Sequence, residues 1–126
     1  MTGEESSPIR HRVIIAVAPN GGTRTKTDHP GIPLTAAELA ITAAECLEAG
    51  AAMIHAHVRS ADGTHLLDAA AYGDAISAIR SAVSDRIVIQ ITTESLGRYK
   101  PAEQIAVLKA VRPEAASLAL RELAPD

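Results

Sequence analysis

Four short apolar runs, beginning near residues 13, 52, 87 and 115, divide the chain into units of about 28–39 residues, and a helical pattern fills each interval. Val13–Ala18 is a continuous run rich in β-branched residues that stops at Pro19-Asn20-Gly21-Gly22, which predicts a buried strand running into a loop. Thr35 with Glu38 three residues on forms a capping box. Ala36, Leu39, Ala40, Ala43, Cys46 and Leu47 then fall at helical spacing before Gly50, predicting a helix with a marked start and stop. Ala52–Val58 repeats the strand signal, Asp68 is placed to cap a helix presenting Tyr72, Ile76, Ile79 and Val83, and Ile87–Thr93 is a third strand. Pro101 occupies a favoured first helical position ahead of Ile105, Leu108 and Val111, and Ala115–Leu120 is a fourth apolar run. Such alternation means parallel strands joined by helical crossovers.

Two architectures satisfy the alternation: a small open sheet, or part of a (β/α)8 barrel whose complete form takes about 250 residues. Length alone favours the first, and the strand interiors favour the second. Residues two apart share a strand face, so Met53, His55 and His57 lie opposite Ile54, Ala56 and Val58. Likewise Ile87, Ile89 and Ile91 oppose Val88, Gln90, Thr92 and Glu94, and Leu118 and Leu120 oppose Ser117, Ala119 and Arg121. A sheet covered on both sides needs two apolar faces, whereas a barrel with a site at its C-terminal mouth needs this polarity gradient. The balance therefore shifts toward an α/β fold that is part of a (β/α)8 TIM-type barrel, with the small open sheet kept as the alternative. The fold has four parallel strands with three intervening helices from Val13 to Asp126, behind a polar tail at 1–12.

Composition narrows the function classes. No apolar run approaches the roughly 20 residues of a membrane span, and Met1–Arg10 is polar and lacks a signal-peptide apolar stretch. The lone Cys46 has no partner for an intramolecular disulfide, so a cytoplasmic location is expected. Twelve Lys and Arg against 15 Asp and Glu, with 2% aromatic residues, provide neither the basic face nor the stacking platforms of a nucleic-acid binder.

The most specific chemical feature is His55-x-His57. On a strand, such a pair aims two imidazole nitrogens at one point about 2.0–2.1 Å from each, as borderline metals require. Two hydrogen-bonded histidines near a strand end are the plain alternative. Asp28 and His29 are candidate extra ligands, although a turn is the more ordinary reading of a position before proline. The loop Asn20–Pro30 combines glycines and hydroxyls with Arg24 and Lys26, which suits an anion, but it lacks the Gly-Lys-Ser/Thr ending of a Walker loop. Thr92, Thr93, Glu94, Ser117, Arg121 and Glu122 cluster at strand ends and would ring one barrel mouth. Cys46 is expected on the buried face of its helix, His65 in an ordinary turn after Asp62-Gly63-Thr64, and His11 in the tail; none is assigned a role.

Several blocks together resemble a known family: Val17–Gly21, Thr25–Pro30, Ala51–Arg59, Gln90–Glu94 and Arg112–Leu123. In this order and spacing they are similar to the β-keto acid cleavage enzymes, and the resemblance covers nearly everything from Val13 to Asp126. It implies that the chain is the N-terminal half of a zinc-dependent (β/α)8 TIM-type barrel that transfers an acyl group between a β-keto acid and acetyl-CoA, giving acetoacetate and a new acyl-CoA. It implies that His55 and His57 hold Zn2+ with a Glu from beyond Asp126, and that the family's catalytic acid and base also fall beyond Asp126. It further implies that Thr92 and Ser117 bind the substrate carboxylate, and that the enzyme assembles as a homo-oligomer. In the lysine-fermentation member a Glu of the first loop helps hold a substrate ammonium; Thr23 stands at the matching position here, pointing to a neutral or anionic β-keto acid. The competing expectations are a different metal-dependent barrel hydrolase, a non-catalytic or incomplete barrel fragment, and, more weakly, a small open α/β binding module.

Overall fold

The computed structural model describes residues 12–125, so His11 and most of the expected tail lie outside the described residues. Asp126, the residue taken as the end of the half-barrel and beyond which the catalytic acid and base are expected, also lies outside them, and the described part of the last unit ends at Pro125. In chain order the elements are β1 (Ala16–Val17), α1 (Ala36–Glu48), β2 (Met53–His55), β3 (Val58–Arg59), β4 (His65–Leu66), α2 (Ala69–Val83), β5 (Val88–Thr92), α3 (Pro101–Val111), β6 (Ala115–Ser117) and α4 (Leu120–Leu123). Strands β1, β2, β5 and β6 form one parallel sheet in that order. The predicted four parallel strands and three intervening helices are therefore present. Their sequential order contains no point at which a later strand crosses back to the other side of the first, as happens in doubly wound sheets.

The helices start where local chemistry dictates. Thr35 Oγ1 accepts the Glu38 amide at 3.2 Å, and Glu38 Oε2 accepts the amides of Leu34 and Thr35 at 2.8 and 3.1 Å. Three donors at the α1 N-terminus are thus satisfied by two side chains. Asp68 Oδ2 accepts the Ala71 amide at 2.8 Å, and Pro101 opens α3 where its missing N–H costs nothing. Helix α1 ends one residue before the cap Ala49, and Gly50 turns the chain with φ of +101°, a conformation that strains any residue with a Cβ.

One face of the sheet is dry. Ile54, Ile89 and Ile91 pack in a single core with Leu39 and Ala43 of α1, Tyr72, Ala75, Ile79 and Val83 of α2, and Val107 of α3. The other face carries Met53, His55, Gln90 and Ser117 half-buried, and Val88 exposed. Cys46 is half-buried against the core, as expected of a small apolar residue. Tyr72, fully buried, donates its hydroxyl to the Thr92 carbonyl at 3.2 Å, with the Ala56 carbonyl at 3.5 Å, so one α2 side chain ties the ends of β2 and β5 together.

Three boundaries differ from expectation. The ladder of β1 is confined to Ala16–Val17, and Val13, Ile14 and Ile15 are exposed beside it. Residues 52–58 are not one strand: β2 stops at His55, and Val58–Arg59 pairs antiparallel with His65–Leu66 in a separate two-stranded ribbon. The fourth apolar run leaves the sheet at Ser117, because Leu120–Leu123 closes into the short helix α4. Leu118 and Leu120 are exposed and do not form an apolar strand face.

Candidate functional site

Register builds the site. His55 pairs with Gln90 across β2 and β5, and Thr92 pairs with Ser117 across β5 and β6, so four polar side chains stand in two cross-strand pairs on the open face. Gln90 Oε1 accepts from His55 Nδ1 at 2.7 Å. That bond places the ring proton on Nδ1 and leaves His55 Nε2 with its lone pair. Ser117 Oγ donates to Thr92 Oγ1 at 3.1 Å, and the Glu94 amide donates to the same oxygen at 3.1 Å. The Thr92 hydroxyl accepts twice, so its own proton is committed to neither neighbour.

His57 lies two residues beyond the strand end and is held by the first loop. Asn20, buried, accepts the His57 amide on Oδ1 at 3.2 Å and donates Nδ2 to the His57 carbonyl at 2.8 Å and the Pro33 carbonyl at 3.0 Å. With its backbone gripped on both sides, His57 turns its ring so that Nε2 stands 3.2 Å from His55 Nε2. Two ligands about 2.0–2.1 Å from a tetrahedral zinc stand roughly 3.3 Å apart, so the imidazole donors fit such an ion. Burial, followed by the nearby His55, His65 and Arg59, holds the His57 pKa down to about 4, and the ring is neutral at pH 7 as a ligand must be. His55 and His57 supply two ligands, and among the described residues no group of three or more His, Cys, Asp or Glu side chains is arranged around a metal position.

His65, expected in an ordinary turn, is instead buried on β4 beside the pair. Its ring centroid lies 5.7 Å from that of His57 and 6.0 Å from that of Tyr99, and its Nε2 bonds the Glu94 carbonyl at 2.6 Å. Asp62-Gly63 between two short apolar stretches is a hairpin signal, and it was the cue available in the sequence for this placement. Arg59 is the second residue that pattern reading passed over. Its buried guanidinium donates to the carbonyls of Asn20, Gly21, Arg24 and Gly63 at 2.6–3.2 Å, knitting the first loop to the β3–β4 ribbon.

The first loop does not offer free cations. Arg24 pairs with Asp28 at 3.1 Å, and Lys26 pairs with Glu38 at 2.7 Å while also donating to the carbonyls of Pro30 and Ile32. Asp28 accepts the Thr25 amide and His29 Nδ1 accepts the Gly31 amide, so both candidate extra ligands are exposed turn residues that the structure does not bring to the histidine pair.

The strand-end cluster does converge, with one exception. His55, Thr92, Glu94, Ser117, Arg121 and Glu122 line one open cavity of about 350 Å³. Thr93 faces the other way, fully buried, with its amide donating to the Ser117 carbonyl at 3.1 Å. Glu122 is partly committed to structure, because its Oε2 accepts from Gln104 Nε2 at 2.9 Å and the Ser95 amide at 3.2 Å. A second cavity, about 480 Å³, opens between the first loop, the ribbon and Leu96, and is lined by Thr23, Thr25, His65 and Arg98.

A parallel sheet with one dry face, one polar face and an imidazole pair at its C-terminal end defines the class: an α/β protein with a polar cluster at its strand ends. Residues 12–126 match the family described as beta-keto acid cleavage enzyme, and the chain belongs to that family. It is 35% identical over 115 residues to a 3-keto-5-aminohexanoate cleavage enzyme of Fusobacterium nucleatum, covering 87% of this chain and 40% of the relative. It is 32% identical over 106 residues to a 3-oxoadipate:acetyl-CoA acetyltransferase of Cupriavidus necator, covering 84% and 36%. A 3,5-dioxohexanoate:acetyl-CoA acetone transferase of Paraburkholderia graminis is 31% identical over 110 residues, covering 86% and 35%. The chain spans about two fifths of the length of these curated relatives.

Proposed function

We propose that this chain is the N-terminal half of a (β/α)8 barrel that exchanges an acyl group between a β-keto acid and acetyl-CoA, giving acetoacetate and a new acyl-CoA. One observation carries the reading: the two Nε2 atoms of His55 and His57, 3.2 Å apart, stand at the same strand ends as the paired hydroxyls of Thr92 and Ser117. The sequential strand order and the exposed apolar residues flanking β1 and β6 support a sheet continued by further βα units. Cytoplasmic, homo-oligomeric assembly belongs to the same proposal.

In this reading His55 and His57 are ligands of Zn2+, and the third ligand and the catalytic acid and base belong to segments beyond Asp126. A zinc ion bound there supplies Lewis-acid polarisation of the β-carbonyl. Thr92 donates its uncommitted hydroxyl proton to the substrate carboxylate, and Ser117 joins it by turning its proton from Thr92 Oγ1 to the carboxylate, which fixes the reacting carbon's position and contributes orientation. Gln90 holds His55 in the ligand tautomer, and Asn20 fixes the His57 backbone. Thr23 beside the second cavity carries no charge, which suits a β-keto acid with a neutral or anionic far end, in the manner of the oxoadipate and dioxohexanoate named for two relatives.

Acetyl-CoA-dependent loss of such β-keto acids, with elemental analysis of bound metal, tests the proposal. In the complete barrel, His55→Ala or His57→Ala is expected to abolish stoichiometric zinc and turnover together; one zinc per site retained by either variant overturns it. Loss of substrate without acetyl-CoA identifies a hydrolase instead, and absence of both reactions identifies a non-catalytic barrel fragment.

A further inference from the structure

His57 Nδ1 is buried and has no hydrogen-bond partner among the described residues. A neutral imidazole has one N–H and one lone pair, so the position of the proton decides which nitrogen can ligate. At His55 the matter is decided by Gln90. At His57 two arrangements compete. With the proton on Nε2, His57 donates to His55 Nε2 across 3.2 Å and occupies the lone pair that a metal would need. With the proton on Nδ1, two Nε2 lone pairs face each other, an arrangement that a cation relieves.

The group that can decide between them is Glu94. Its Oε2 lies 3.8 Å from His57 Nδ1, beyond hydrogen-bond range but within a small rotation of a side chain that is 42% exposed. The backbone of Glu94 is fixed, its carbonyl bonded to His65 and its amide to Thr92. Gly22 preserves the space for that rotation. A Cβ at residue 22 would stand 3.3 Å from Glu94 Oε2, 3.4 Å from His57 Nδ1 and 2.9 Å from Leu96 Cδ1.

We propose that Glu94 is a positioning residue whose carboxylate closes onto the His57 Nδ1–H, so that the Nε2 atoms of His55 and His57 are presented together as acceptors. It deepens the metal-site reading above and rests on it for its purpose. A carboxylate behind a ligating imidazole fixes the ring's tautomer and raises its basicity.

Nitrogen-resolved NMR of the metal-free chain at neutral pH reads the tautomer of each histidine directly. The expected result is an Nδ1–H tautomer at His57 in the unmodified chain and in Glu94→Gln, whose amide oxygen still accepts. In Glu94→Ala the proton is expected to move to Nε2 and enter the bond to His55. Gly22→Ala, which crowds the carboxylate without removing it, should shift the tautomer in the same direction. In the complete barrel, Co2+ affinity is expected to fall about 10–100-fold in Glu94→Ala and to recover in Glu94→Gln. An Nε2–H tautomer at His57 in the unmodified chain, or no change in Glu94→Ala, overturns the proposal. A tautomer switch in a complete barrel that binds neither Co2+ nor Zn2+ upholds Glu94 and removes the metal-site reading; metal binding by the complete barrel without a switch does the reverse.

Discussion

The first loop and the strand-end cavity are equally polar, yet they have opposite hydrogen-bonding states. In the loop, Arg24, Lys26, Asp28, His29 and Asn20 all bond to one another, to neighbouring backbone or to Glu38. Around the cavity, the Thr92 proton, the His57 Nδ1 atom and the two facing Nε2 atoms are uncommitted or imperfectly committed. Polar composition alone would rank the loop, with its two cations and three threonines, as the better ligand site. Satisfied groups hold shape and unsatisfied ones hold ligands, because an unpaired buried polar group carries a desolvation cost that a bound partner removes.

That contrast breaks if loop substitutions cost activity before stability, or if cavity substitutions do the reverse. The largest stability effect is expected at Arg59, whose removal strands four carbonyls at once: Arg59→Met should cost about 3 kcal/mol or more in urea unfolding. Arg59→Lys should not rescue it, since a single ammonium lacks the fork that reaches several acceptors. Thr92→Val and Ser117→Ala are expected to cost only about 1 kcal/mol of stability each, while raising the β-keto acid KM on the order of tenfold. An unchanged KM would remove the carboxylate-binding role.

Glu38 gives a smaller, pH-resolved effect. Lys26, followed by the Leu34 and Thr35 amides, holds its carboxyl down to about 2 from an ordinary value of 4.5. A depressed folded-state pKa stabilises above the unfolded value and is lost as pH falls through the folded one. The stability difference between the unmodified chain and Glu38→Gln should therefore be present at pH 6 and shrink between pH 4.5 and 2, and its size should stay below about 1 kcal/mol because the pair is partly solvated. The smallest effect is expected at the exposed Arg24. Arg24→Ala should change stability by less than about 0.5 kcal/mol and leave substrate affinity unaltered. A tenfold loss of affinity there would make the loop part of the binding surface.

Periodicity made the fold legible because helices and buried strands are set by local chemistry. Thr35, Asp68 and Pro101 start helices where their side chains say they should, and Ile54, Ile89 and Ile91 face the helices as a period of two requires. The β3–β4 ribbon was harder to read because two-residue strands have no period to detect. His65 and Arg59 followed from it, since their roles arise from carbonyls 29 and about 35–39 residues away in sequence. The His55 and His57 pair was visible as a spacing. That Gln90 and Asn20 support it became visible only from strand register and a loop crossing.

Tyr72 has a practical consequence. The chain contains no Trp or Phe and two Tyr residues, so Tyr72 and Tyr99 dominate its near-ultraviolet spectrum. Tyr99 stacks edge-on against His65, and Tyr72 hydrogen-bonds the Thr92 carbonyl directly behind the hydroxyl cavity. Burial pushes the Tyr72 phenol up to about 12, so it stays un-ionised and spectrally silent toward pH over the whole working range. Both intrinsic chromophores thus touch residues of the site's supporting frame, and near-ultraviolet circular dichroism of the unlabelled chain becomes a direct optical readout of events at those strand ends.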